Sequence, residues 1–246
     1  MPVLFREAWA TLVPDMTDRH GPLPPMMLAL TVVTGLVDAV SFLQLGRVFV
    51  ANMTGNVVFS GFAVAGAPGF SVTASLVALV SFIAGAVLSG LLVHRHAHRG
   101  KMLQYALLAE TLCFTAAVIV TQTSGSPYVG EVRFTLIVLL ALGLGVQNAA
   151  ARALAVPDLM TTVLTLTITG IAADSRLVGG TGSKAGRRVL SACAMLLGAV
   201  AGTFAFLHGH PALPLLFALI ILAGVTAAAT VLARADAPWI RPLAKN

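Results

Sequence analysis

The sequence predicts an all-α integral membrane protein, with about six transmembrane helices and two short re-entrant or broken helices set out as inverted repeats. Three observations carry this expectation. Of 246 residues, 58% are hydrophobic and 10% are charged, whereas soluble domains carry roughly 25% charged residues. The apolar residues fall in runs, six of which reach the ~20 residues a helix needs to cross a bilayer. A short motif also recurs in order: "GLVDA" at 35–39 returns as "GVQNA" at 145–149.

Residues 1–25 hold Arg6, Glu7, Asp15, Asp18, Arg19 and several prolines, with no apolar core or cleavage site. They read as a cytoplasmic segment and not as a signal peptide. The long runs follow at 26–45, 71–93, 102–122, 133–151, 187–207 and 213–233. Two further apolar stretches, 54–66 and 161–173, make helices of about 20 Å against a hydrocarbon core of about 30 Å. Loop charge tests whether they cross. "HRHAHRGK" at 94–101 carries Arg95, Arg99 and Lys101, and 174–188 carries Arg176, Lys184, Arg187 and Arg188 against Asp174. Basic loops stay on the cytoplasmic side, and both satisfy that rule only if 161–173 enters and leaves by one face. The tail at 234–246, with Arg234, Arg241 and Lys245 against Asp236, then falls inside as well. By symmetry 54–66 is assigned the same behaviour. This makes 26–122 repeat A and 133–233 repeat B, inverted with respect to each other, a common transporter design.

The polar residues of "VFVANMTGNVVFSG" at 48–61 interrupt this apolar pattern. A chain extended from Arg47 to Met53, at roughly 3.3 Å per residue, reaches the membrane midplane. Asn52 or Thr54 suits the N-cap of the short helix, Gly55 permits close backbone approach, and Asn56 completes the cluster. In repeat B, Thr161, Thr162 and Thr165, with Thr169, share one side of a helix. Helix starts at mid-depth favour an anionic group, so a small organic anion is the expected solute. Asp38 and Glu110 lie inside spans, where acids are costly and mark binding or proton coupling. Gln147 and Asn148 belong to the same polar set, and Asn148 occupies Asp38's place in the repeat.

Other signals point to no catalytic or cofactor chemistry. His94, His96 and His98 interleave with arginines in a basic loop, and no acid or cysteine accompanies them as a metal site requires. "GGTGSKAG" lacks phosphate-loop spacing, and no hydrolase or kinase motif appears. Cys113 and Cys193 sit within apolar runs, so no disulfide framework is implied. The positive charge is dispersed among loops, without the pattern of a nucleic-acid binder. Gly198 and Gly202 form a GxxxG pair suited to close helix packing. No enzyme, cofactor, metal or nucleic-acid partner is expected.

The block "TGLVDAVSFLQLGRVFVANMTGNVVFSG" at 34–61 resembles the signature of the YoaK-like family of bacterial multi-span inner-membrane proteins, a domain of unknown function. The matching positions are Thr34, Gly35, Asp38, Asn52, Thr54, Gly55 and Asn56, with Gln147 and Asn148 further along. The resemblance implies about six spans and names no substrate. The broken helices are similar in architecture to sulfate and nucleobase transporter folds. The resulting expectation is a small secondary transporter of the inner membrane with both termini cytoplasmic, in contact with lipid, solute, protons and a second copy of itself. A passive channel and a non-transporting scaffold or sensor are the alternatives.

Overall fold

The structure is a computed structural model that describes residues 3–95, 98–157, 164–174, 179, 184–234 and 237–241. The described residues form helices and no strand. In order these are α1 (Val3–Leu12), α2 (Leu23–Gln44), α3 (Met53–Val64), α4 (Val72–Arg95), α5 (Arg99–Ser124), α6 (Gly130–Leu154), α7 (Leu164–Ala173), α8 (Ala185–Leu207) and α9 (Leu213–Leu232), then a 3-10 turn at Pro238–Ile240.

Helices α2, α4, α5, α6, α8 and α9 are long and apolar enough to cross a membrane, and each overlaps one of the long runs. Their ends differ by a few residues because capping, not hydropathy, sets a helix boundary. Helix α2 starts early because Pro24 and Pro25 fall in its first turn, where a missing N–H costs nothing. Helix α5 starts at Arg99 because the His98 ring accepts the Lys101 amide at 3.2 Å. The segment assigned as a simple cytoplasmic stretch contains α1, which docks on α8. There the Glu7 carboxylate accepts the Gly186 amide at 3.0 Å, and Arg187 Nε donates to Thr11 Oγ1 at 3.3 Å. Phe5 and Trp9, the latter 67% exposed, project from the opposite side of α1.

Helices α2 and α6 form the centre. Their most apolar windows are 72% and 61% buried, against 22–33% for the four other long helices. Outer helices keep apolar side chains exposed because lipid is as good a solvent for them as the core. The packing has an internal symmetry. Helix α2 packs on α8 as α6 packs on α4, α2 on α9 as α6 on α5, α3 on α4 as α7 on α8, and α4 on α5 as α8 on α9, while α2 meets α6 and α5 meets α9. Exchanging α2 with α6, α3 with α7, α4 with α8 and α5 with α9 leaves this pattern unchanged.

Glycines reproduce the exchange at atomic scale. A Cβ on Gly35 would strike the Met195 carbonyl, and one on Gly198 the Val32 carbonyl. A Cβ on Gly145 would strike the Phe82 carbonyl, and one on Gly85 the Leu142 carbonyl. Each pair of helices therefore touches backbone to backbone at facing glycines, as small residues allow. Gly202 extends the first interface against Leu36 and Ala39.

The connections sort to two ends of the bundle. At one end Gln44 Nε2 donates to the Pro211 carbonyl at 3.1 Å, and the Arg47 guanidinium lies over the Phe70 ring, 5.5 Å from its centroid. This gathers the end of α2, the start of α4 and the α8–α9 turn. At the other end Arg99 donates to the carbonyls of Arg19 (3.2 Å) and Leu154 (2.7 Å), Arg187 donates to the Pro157 carbonyl (3.3 Å), and Trp239 packs against Gly21. The first and last described segments share that end with the start of α5, the end of α6 and the start of α8. Helices α2, α5 and α8 thus run one way, and α4, α6 and α9 run the other.

Candidate functional site

After α2 the chain turns back towards the interior of the bundle, with Leu45, Val48 and Val50 fully buried. Backbone at such a place must find protein partners, since neither lipid nor core supplies them. Asn56, 0% exposed, does this for one residue: its carboxamide oxygen accepts the Phe49 amide at 2.9 Å, and its nitrogen donates to the Phe49 carbonyl. The expected solute ligand is a clamp with both ends occupied. Asn52 is the N-cap of α3, accepting the Gly55 amide at 3.3 Å. Gly55 lies against the Phe49 ring, which a Cβ would approach to 2.7 Å. Phe49 in turn stacks between Phe42 and Phe59, at 5.3 and 5.5 Å between centroids.

The clamped turn borders a cavity of about 790 Å³. Asp38 of α2 lines it together with Ala51, the first turn of α3 from Asn52 to Gly55, and Phe59 further along that helix. Phe82 of α4, Thr165 of α7 and Met195 of α8 close other sides. Phe82 and Met195 are equivalent under the helix exchange, because each offers its carbonyl to the facing glycine of the other half. Both lie midway along their helices, so the cavity sits at half-height, and residues of the first turns of α3 and α7 line it. The Oδ1 atom of the Asp38 carboxyl is buried without a hydrogen-bond partner. Among the described lining residues Asp38 is the one ionisable group, with no Lys, Arg or His beside it.

Five of the expected site residues, Asp38, Asn52, Thr54, Gly55 and Thr165, therefore line one cavity, with Asn56 bracing its wall. The others lie elsewhere. Gln147 is buried between α6 and α2, where its Nε2 donates to Thr34 Oγ1 at 3.2 Å. Asn148 donates to the Leu144 carbonyl of its own helix at 2.9 Å. Glu110 is 0% exposed on α5, and neither carboxyl oxygen has a partner. Thr161 and Thr162 lie outside the described residues. Phe59, Phe82, Met53 and Met195 escaped the sequence reading because phenylalanine and methionine look like ordinary span residues. For Phe82 and Met195 a signal existed: each precedes a packing glycine by three positions, in "FIAG" and "MLLG". Among the described residues no cluster of His, Cys, Asp and Glu suited to a metal ion occurs.

Six helices long and apolar enough to span a membrane place the protein among helical integral membrane proteins of the multi-span type. The chain belongs to a family described as "Protein of unknown function (DUF1275)", whose sequence pattern matches residues 26–229. It is similar to the UPF0700 transmembrane protein YoaK of Bacillus subtilis (strain 168), with 32% identity over 150 residues, which is 61% of this chain and 65% of that protein. The chain thus spans about two thirds of the length of this curated relative in the match. No solved structure matches.

Proposed function

We propose that this protein is a small secondary transporter of the bacterial inner membrane, binding a small solute between the first turns of α3 and α7. The observation that carries the reading is the half-height cavity with the buried, unpartnered Asp38 Oδ1. A carboxyl left unsatisfied inside a span costs free energy, which makes it a functional group by default.

The symmetry of the packing supports a duplicated architecture of two inverted repeats, 26–122 and 133–233, since the exchanged helices run in opposite directions. Helix α3 begins at the cavity and leads to the end of the bundle where α2 finishes. Helix α7 begins at the same cavity and leads to the opposite end, where Arg188 pairs with Asp174 at 2.8 Å. We read both as re-entrant half-helices, the arrangement in which inverted-repeat transporters place their solute. The basic end of the bundle is cytoplasmic in this reading. Asp38 binds the solute or couples its movement to protons, and no covalent chemistry is assigned.

The test is a thermal-shift screen of the purified protein against metabolite pools, followed by flux of any hit in proteoliposomes. Saturable uptake that disappears in Asp38→Asn, with normal insertion and a monodisperse gel-filtration profile, is expected. A scaffold predicts no flux in either protein. A channel predicts flux that does not saturate.

A further inference from the structure

We infer that the solute held at this cavity is a small organic monocation carrying apolar groups, such as a substituted ammonium, with Asp38 as its counter-ion. The inference rests on the transporter reading for its biological role but not for the binding chemistry.

The positive end of α3 argues at first for an anion. Part of that end is met inside the protein. Asn52 takes the Gly55 amide with its side chain and the Asn56 amide with its carbonyl, and Asp38 lines the cavity beside the same turn. An anionic solute at the helix start would therefore share the cavity with an acidic side chain. A second anion would meet Asp38 across a low-dielectric gap with no cation among the described lining residues to offset it. Asp38 still has one buried oxygen free.

The rest of the lining suits a soft cation. Two aromatic residues, Phe59 and Phe82, and two thioether residues, Met53 and Met195, line the same space. Ring faces attract ammonium groups most strongly where water is excluded, and thioethers adapt to irregular apolar groups. Hydroxyl and amide groups are confined to the first turns of α3 and α7, at Asn52, Thr54 and Thr165. One carboxylate with two rings is a donor set for a partly apolar cation. It offers neither the oxygen count a hard metal ion requires nor the paired donors of a carboxylate site.

Three probes of similar size and different charge test this: phenyltrimethylammonium, benzyl alcohol and benzoate, titrated into the full-length protein in lipid nanodiscs. The expected result is that phenyltrimethylammonium binds about tenfold more tightly than either other probe, and that Asp38→Asn abolishes this preference. Asp38→Glu must keep the preference, and Phe59→Leu must lower affinity for the cation more than for the alcohol. Equal binding of the three probes, preference for benzoate, or a cation preference that survives Asp38→Asn in a protein that remains monodisperse overturns the inference. Saturable, Asp38-dependent flux of an anionic or neutral solute would overturn the cation assignment and leave the transporter reading standing. Cation binding without any flux would do the reverse.

Discussion

Asn56 and Asn52 stand four positions apart in one polar cluster, yet their side chains do different work. The Asn56 amide replaces a missing backbone partner for Phe49, whose N–H and C=O both depend on it. Asn56→Ala leaves two buried polar groups unpaired, at about 1–3 kcal/mol each, and should cost roughly 2–6 kcal/mol in reversible denaturation from mixed micelles. Asn52→Ala removes one cap bond and should cost about 1 kcal/mol. The reverse ranking would mean that Asn56 is free to meet solute. Both residue types were legible in the sequence as special. Which one was braced and which one faced the cavity was not, because an asparagine's role depends on where its two amide ends point.

Helix packing rests on two glycine contacts, Gly35 with Gly198 and Gly145 with Gly85. Alanine at any of these four forces two backbones apart, an overpacking cost of about 1–3 kcal/mol, which should appear as a lowered melting temperature. Gly35→Ala combined with Gly198→Ala should cost less than the sum, because separating one interface admits both methyl groups. Gly35→Ala with Gly145→Ala should depart from additivity, since the Gln147–Thr34 hydrogen bond links the two interfaces. At the basic end, burial first and then the Arg99 guanidinium hold His20 below its ordinary value of 6.5, with Arg19 and Arg187 adding to this and Asp18 opposing it. The unfolded chain therefore takes up a proton that the folded chain excludes, and stability falls as the pH drops through 6.5. The melting temperature should be lower at about pH 5.5 than at about pH 7.5, and His20→Gln should narrow that difference.

The whole molecule places its connections at two ends, and this makes its orientation measurable. In a background with Cys113 and Cys193 replaced, single cysteines at the exposed positions Ala65 and His208 should react with an impermeant maleimide added to intact cells. Cysteines at the exposed positions Asp18 and Lys101 should react only after permeabilisation. Labelling of cysteines at the exposed positions Arg47 and Ala65 from opposite sides would remove both the inverted repeat and the re-entrant α3. The docked helix α1, with Phe5 and Trp9 exposed beside the basic end, is placed to lie along the headgroup region, as amphipathic helices do. Its sequence mixes charges with isolated apolar residues, so it resembled a plain polar leader until α8 gave it something to pack on.

Length and hydropathy are local properties, and they were enough to locate six spans and two helices too short to cross. The recurrence of "GLVDA" as "GVQNA" put Gly35 opposite Gly145 and Asp38 opposite Asn148, and the glycine contacts follow that correspondence. Residue type alone also marked Asp38 and the start of α3. Only the tertiary structure decided that α2 and α6 lie at the centre, that Phe82 and Met195 are counterparts, and that Glu110, Gln147 and Asn148 stand apart from the cavity. The reason is physical: in a membrane almost every span carries the same apolar side chains on all faces. Which face meets a neighbour is then set by a few small residues and hydrogen bonds between segments far apart in the chain, and these become visible only once the helices are packed.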